Sequence, residues 1–259
     1  MNYSKVIITR MFSVLFVAGV IFISASFHAP VAHAATCGIT SEDVAQIAAI
    51  QNDPTLSYAD EINQELALRK QLVGKTIVCA QQEAQTFQAT LASTTVGSSA
   101  EPLQGQLLSD LNGATNFYAL ELTKLNDVGI SGSEAIAQEV LAWRAGTFLP
   151  LSENVNNFIL WAQNQNLFDT AQERMTQTAR AVSFLESASP NASLQTAFDG
   201  VQSSFNDAES MNAAAKTALA QGISPNQSLS LIKQSLDSLS TTYQGFFNVS
   251  KIISSILPQ

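Results

Sequence analysis

Histidine is nearly absent from this chain of 259 residues, which contains two histidines, two cysteines and two tryptophans. Both histidines, His28 and His33, lie within the first 34 residues, a segment that has the features of an export signal. Without them the rest of the chain has no imidazole, which excludes Ser-His-Asp and Cys-His nucleophile systems, histidine zinc sites and Glu-x-x-His di-iron bundles. No phosphate-binding, dinucleotide-binding or calcium-loop motif occurs. We therefore expect no catalytic residue, no metal site and no cofactor.

Basic residues are also scarce, with 12 lysines and arginines against 21 aspartates and glutamates and a formal net charge of −9. Removal of the first 34 residues would take away Lys5 and Arg10 and change this charge to −11. Nucleic acids and anionic membrane surfaces attract basic proteins, so this charge excludes the first and disfavours the second. The expected partner is another protein or a component of the cell envelope.

Residues 1–34 have the arrangement of a cleavable signal peptide. Lys5 and Arg10 precede an uncharged apolar run over residues 11–27, and Ala32 and Ala34 are small residues at the positions that define cleavage. An uncleaved anchor is the alternative, because the apolar run is nearly long enough to span a bilayer. We expect cleavage, no membrane contact afterwards, and an extracytoplasmic location that is periplasmic, cell-surface or secreted.

Cys37 and Cys79 are the only cysteines, and both follow this segment. An even pair in an oxidising compartment predicts a disulfide, with a pair of free thiols as the alternative. The bridge would close a loop of about 43 residues and contribute about 4 kcal/mol by restricting the unfolded chain.

The spacing of apolar residues predicts an all-α protein, because steps of three and four recur along almost the whole chain after residue 40. Residues 194–219 form an unbroken coiled-coil heptad ladder with one polar member, Asn212. Outside the long central stretch, the predicted helices are a short first helix capped by Thr40, a second that begins at Asp53-Pro54 and runs to residues 90–93, a third over 102–126, and two more over 190–221 and 225–256.

Residues 131–187 are predicted to form one very long helix with a bend at Pro150. Ser131 and Glu134 have the spacing of a capping box, which predicts the start of the helix. A proline removes one helical hydrogen bond and crowds the carbonyl four residues earlier, here that of Gly146. A kink is favoured, although Pro150 disfavours helical angles at Leu149 and a break remains the alternative.

These segments predict an elongated antiparallel helical bundle. The helices before the bend form one up-down-up set and those after it form another, which suggests two three-helix bundles that share the long kinked helix. The corresponding domain boundaries are 35–149 and 150–259. Gly129 and Gly222, each followed by Ile-Ser, are interpreted as tight helix–helix corners with left-handed glycines rather than as an internal repeat.

Four residues of the central helix are candidates for a binding site. Trp143 and Trp161 are the only tryptophans; a ligand groove is one interpretation of them, and their helical spacing is more typical of a core. Asn164 and Gln165 belong to a run of four amides that either fixes helix register or presents a polar binding face, and register is favoured. Acids such as Glu121 are expected on solvated helix faces, with a glycosidase-like carboxylate pair as a disfavoured alternative.

Two segments carry a resemblance to a known group of proteins. Phe158-Ile-Leu-Trp-Ala-Gln-Asn-Gln-Asn-Leu-Phe and Glu65-Leu-Ala-Leu-Arg-Lys-Gln-Leu are similar to segments of uncharacterised exported helical proteins of uncultivated bacteria. The resemblance implies export and helicity and brings no known activity. The predicted function is a non-enzymatic structural or interaction module of the envelope or secreted fraction. The alternative is an extracytoplasmic, sensor-like helical bundle that binds a ligand.

The disulfide gives a first testable prediction. Cys79→Ser should lower the melting temperature and leave the helical circular dichroism unchanged, because the bridge restricts mainly the unfolded chain and one short helix. Two titratable thiols in protein recovered from its native compartment would contradict the predicted bridge.

Overall fold

The computed structural model describes residues 40–222 and 224–256, and these residues form seven α-helices with no β-strand among them. The predicted all-α helical bundle is therefore confirmed. The helices are α1 (Ser41–Gln51), α2 (Tyr58–Ser93), α3 (Glu101–Lys124), α4 (Ile130–Trp143), α5 (Leu149–Ala188), α6 (Ala192–Ala220) and α7 (Pro225–Ile256). A 3₁₀ turn, Leu125–Asp127, follows α3, and a π-helical turn, Arg144–Phe148, joins α4 to α5.

The helices pack in two sets of three: α2, α3 and α4 form the first, and α5, α6 and α7 form the second. In the first set α2 and α3 are antiparallel, since Lys70 Nζ donates to the Asn126 carbonyl near one end and Gln104 donates to the Leu91 carbonyl near the other. In the second set α6 and α7 make the most extensive helix–helix contact, and α5 packs against both.

The buried face of α6 is the predicted heptad ladder. Its apolar members are buried because steps of three and four residues place them on one side of the helix, while Asn212 is half-buried. One cluster of buried apolar residues includes Tyr118 of α3, Phe158 of α5 and Ile232 of α7. The core therefore continues across residue 150, and the division into domains 35–149 and 150–259 stays a prediction.

The central helix continues through Pro150 without a break, as predicted. Leu149 has helical angles, φ −61° and ψ −49°, and its N–H donates to the carbonyl of Arg144, five residues earlier. This wider turn is a π-bulge, a usual accommodation for a residue that disturbs the regular bonding of a helix. Ser152, two residues after Pro150, is buried, and its hydroxyl donates to the Leu149 carbonyl.

The predicted capping box at Ser131 and Glu134 is wrong. Helix α4 begins at Ile130, its N-cap is Gly129, and no side chain caps this end. The corner before it is tight, because a Cβ on Gly132 would lie 2.6 Å from the Cβ of Val128. The helix thus starts two residues earlier than the capping pattern indicates, with Gly129 instead of Ser131 as the N-cap.

The predicted start of the second helix at Asp53-Pro54 is also wrong. The Asp53 carboxylate accepts hydrogen bonds from the N–H and hydroxyl of Thr55, at 2.9 and 2.6 Å, which makes a local turn. Helix α2 begins four residues later, where Ser57 accepts from the Asp60 N–H. The predicted cap of the first helix at Thr40 is confirmed, with a reciprocal box between Thr40 and Asp43.

Several predictions concern residues outside the described part. The segment 1–34 and Cys37 lie there, so the signal peptide and the disulfide stay predictions, and Cys79 is half-buried on α2. In the described residues, no helix combines the length and the apolar character that crossing a bilayer demands.

Gly222, in the corner after α6, and Gly200, inside α6, give opposite stability predictions. Gly222 has the predicted left-handed conformation, φ +61°, whereas Gly129 does not, at φ −85°. Gly222→Ala should lower the free energy of unfolding by about 1 kcal/mol, because a Cβ is disfavoured there. Gly200→Ala, inside α6 with no atom within 4 Å of the new Cβ, should raise it by about 0.5–1 kcal/mol. Urea unfolding of both variants measures the pair, and equal signs would contradict the assignment.

Candidate functional site

Five aromatic side chains surround the π-helical turn and form what we term the bend cluster: Phe87, Phe117, Tyr118, Trp143 and Phe148. The Trp143 indole stacks on the Phe117 ring with centroids 4.1 Å apart and planes inclined by 18°. The rings of Tyr118 and Trp143 pack edge to face with centroids 5.3 Å apart, and Phe148 is fully buried. Aromatic rings of α3 and of the π-helical turn thus fix the orientation of the half-buried Trp143.

An ion pair ties the π-helical turn to α2. Arg144 Nη2 lies 2.6 Å from Glu83 Oε2, with side chains that are 23% and 9% exposed, and the guanidinium lies 5.1 Å from the centre of the Phe148 ring. Burial by itself lowers the pKa of Arg144, but hydrogen bonding to the Glu83 carboxylate and its charge outweigh burial and raise that pKa above its ordinary value. This charge-assisted pair holds the π-helical turn against α2.

The hydroxyl of Tyr118 is buried beside this ion pair. Burial raises the pKa of Tyr118, and the neighbouring Arg144 opposes part of that rise. The two groups are neighbours, yet neither Tyr118 Oη nor Arg144 Nη1 completes a hydrogen bond of ordinary geometry in the described structure. A buried hydroxyl without a partner is destabilising. In the bend cluster the Tyr118 hydroxyl therefore opposes part of the stabilisation that comes from packing the aromatic rings.

An open cleft of about 460 Å³ lies between α3 and the bend. Its walls come from one face of α3 and from the π-helical turn with the first turns of α5. The lining residues are Ser109, Asp110, Gly113, Ala114, Trp143, Thr147, Pro150, Leu151 and Asn154.

Two residues in this lining carry acceptor oxygens. The carboxylate of Asp110 is exposed and accepts a hydrogen bond from Gln106 at 2.9 Å. Asn154 is half-buried, and its Oδ1 is buried with no hydrogen-bond partner in the described part of the chain. Neither residue was a sequence candidate, because single polar residues on helices are ordinary and only the packing of α3 on the bend brings them to one cleft.

Trp161 and Gln165 lie in an internal contact between α5 and α6. Trp161 is 5% exposed, and its Nε1–H donates to the Asn212 carbonyl at 3.3 Å. Gln165 and Asn212 form a reciprocal amide pair, with Nδ2 of Asn212 donating to Oε1 of Gln165 at 3.0 Å and Nε2 of Gln165 donating to Oδ1 of Asn212 at 3.3 Å. These are the contacts that the register hypothesis requires.

Asn164 faces the interior, with 3% of its surface exposed, and neither atom of its amide group has a hydrogen-bond partner among the described residues. One heptad earlier, Asn157 Nδ2 donates to the Pro225 carbonyl and to the Ser228 hydroxyl, at 2.8 and 3.0 Å. On α7 the buried polar positions recur every seven residues, at Ser228, Ser235 and Thr242. The seven-residue spacing is the sequence pattern that marks this polar seam, and a pattern of apolar heptads does not include it.

The expectation that Glu121 lies on a solvated face is wrong. Its side chain is 1% exposed, Oε1 lies 2.6 Å from Lys124 Nζ, and Oε2 is buried with no described partner. Tyr118, Glu121 and Leu125 are spaced by three and four residues and share the buried face of α3, so periodicity places the acid inward. No group of three or more potential metal-ligating side chains occurs among the described residues.

No known protein family, curated protein or solved structure matches this chain. The resemblance to exported helical proteins stays a prediction.

The buried Tyr118 predicts a dependence of stability on alkaline pH. The unfolded state loses the tyrosine proton near pH 10, before the folded state does, so the free energy of unfolding should fall as the pH rises above about 10. Tyr118→Phe should reduce this slope, leaving the contribution of Tyr243, whose pKa burial also raises. The same change should raise stability by up to about 1 kcal/mol at neutral pH, since it removes a buried hydroxyl with no partner.

The matched control is Tyr58→Phe, because Tyr58 is 78% exposed. Urea unfolding between about pH 8 and about pH 11 should give the wild-type slope for this control. An unchanged slope in Tyr118→Phe would contradict the assignment.

Proposed function

We propose that this chain is exported and works by contact, as a structural or interaction module of the cell envelope or the secreted fraction, and that it catalyses no reaction. The observation that carries the proposal is the hydrogen-bonded contact between α5 and α6 at the buried Trp161. There the amides of Gln165 and Asn212 bond to each other, and the indole N–H bonds to the backbone. A filled seam of this kind suits a scaffold, whereas a small-ligand enzyme needs a concave pocket with convergent polar groups.

The directions of the pKa shifts also support a role without catalysis. Hydrogen bonds from Thr40 lower the pKa of Asp43, and those from Thr55 lower the pKa of Asp53. A hydrogen bond to Glu121 raises the pKa of Lys124. Burial raises the pKa of both Tyr118 and Tyr243. All of these shifts move away from neutrality, whereas general acid–base catalysis favours groups that titrate near the working pH.

A second candidate function, the binding of a small ligand, is favoured by one specific observation. The lining of the cleft between α3 and the bend includes the half-buried Trp143 and the exposed Asp110. Ligand binding there is compatible with a contact role for the rest of the surface.

A turnover screen tests the proposal. The purified protein should give flat traces with peptides, esters, glycans and peptidoglycan. Three variants of acids in or near the bend, Asp110→Asn, Glu139→Gln and Glu153→Gln, serve as the specificity controls for any activity found. Turnover that one of these changes abolishes, with the fold intact by circular dichroism, would make the protein an enzyme and overturn the proposal.

A further inference from the structure

A layer of polar side chains crosses the second set of helices. We term it the Asn164 layer, and its members are Asn164 and Gln165 of α5, Asn212 of α6 and Ser235 of α7. Gln165 and Asn212 bond to each other across two helices, whereas Ser235 donates to the Ile232 carbonyl of its own helix at 2.7 Å. Asn164 is 3% exposed, and neither atom of its amide group has a hydrogen-bond partner among the described residues. The layer is therefore only partly hydrogen-bonded.

The spacing along α5 and α7 places Asn164 level with Ser235. Asn157 Nδ2 donates to the Ser228 hydroxyl at 3.0 Å, and Tyr243, later on α7, bonds to a carbonyl that is later on α5, so the two helices run parallel. An advance of seven residues on each helix, about 10.5 Å, leads from the first of these contacts to Asn164 and Ser235. The layer thus spans all three helices.

The Asn164 layer divides the apolar core of the second set. On the side of the bend, the buried members of the apolar cluster that lie nearest to the layer are Ala162 of α5, Ala215 of α6 and Ile232 of α7. Beyond the layer each helix has further buried apolar residues that do not belong to that cluster, among them Phe168 of α5, Phe205 of α6 and Leu239 of α7. The apolar packing is therefore interrupted where the polar side chains cross the bundle.

The three helices beyond the layer form what we term the distal segment: residues 167–188 of α5, 192–208 of α6 and 239–256 of α7. Every ion pair of the described residues lies between positions 43 and 144, so none falls in this segment. One hydrogen bond is described there between the sides of two helices, from Tyr243 Oη to the Leu167 carbonyl at 3.2 Å. The stability of the distal segment thus rests on the packing of three helices, whereas α2, α3 and α4 add to the core on the side of the bend.

Continuous apolar packing couples neighbouring layers of a bundle, because each side chain packs against the next and a change on one side is felt on the other. At the Asn164 layer a buried amide without a partner is destabilising and interrupts this packing. We propose that the Asn164 layer is the boundary between two cooperative units, at which the distal segment unfolds locally while the part with the bend stays folded. Such local opening gives the far end of the bundle a motion that the bend does not share.

Amide hydrogen exchange of the purified full chain, followed by mass spectrometry, tests this boundary. After correction for intrinsic rates, amides of the distal segment should exchange at least about tenfold faster than the core amides of α2 and α3. Ile77→Val is a mild change at a fully buried residue of α2. It should speed exchange in α2 and α3 by about fivefold and leave the distal rates unchanged, since the distal opening does not involve α2. In a chain that unfolds as one unit, the same variant would speed exchange in both regions equally.

Asn164→Leu tests whether the layer sets this opening. Replacement of the unpartnered amide by an apolar side chain of similar size should slow exchange in the distal segment by about tenfold. Asn166→Leu is the matched control, because Asn166 is exposed two residues away on the same helix, and it should leave the distal rates within about twofold of wild type. Circular dichroism confirms that the variants are folded.

Three results would overturn the proposal. The first is equal exchange in the distal segment and in α2 and α3 of the wild type. The second is a distal rate that rises with Ile77→Val. The third is an equal effect of Asn164→Leu and Asn166→Leu on the distal rates.

Discussion

The hydrogen bond from the Leu149 N–H to the Arg144 carbonyl, which closes the π-helical turn, is the contact on which the rest of the architecture depends. It lets the chain pass Pro150 without leaving helical geometry, so that α4 and α5 follow one another directly. Packing of Phe148 in the core and the ion pair between Arg144 and Glu83 hold this turn against α2. A break at the same place would take apart the cleft, because its walls come from both sides of the turn.

Beyond the bend, polar contacts decide how the helices meet. Apolar heptads favour burial but tolerate sliding by a turn, because a leucine packs acceptably at several heights. An amide pair such as Gln165 and Asn212 does not, since a shift by one turn would break both hydrogen bonds between the two half-buried side chains. The bonds from Asn157 to α7 act in the same way at the start of that helix. Specific register and an unbroken fold therefore rest on a few hydrogen bonds within an otherwise apolar interior.

Local sequence patterns predicted element type well and element ends unevenly. Thr40 caps its helix as predicted, because its hydroxyl and the Asp43 carboxylate interact within a single turn. At Asp53 the same type of side chain closes a turn with Thr55 instead, since an aspartate bonds to the N–H two residues on as readily as it caps a helix. At Ser131 the expected cap does not form, and the corner before the helix instead brings Val128 close to Gly132. The sequence pattern alone does not show which of two local interactions, a helix cap or a side-chain turn, a residue will form.

By itself the sequence determined that the described chain is helical, which faces of α6 are buried, and that a left-handed glycine ends that helix at Gly222, because these properties depend on residues within one or two turns. Only the tertiary structure decided that Trp161 lies in the core while Trp143 lines a cleft, although both follow the same periodicity. It also decided that Asp110 and Asn154 share that cleft. The reason is physical: helical spacing states which residues share a face, and only the packing of one helix on another decides whether that face is covered.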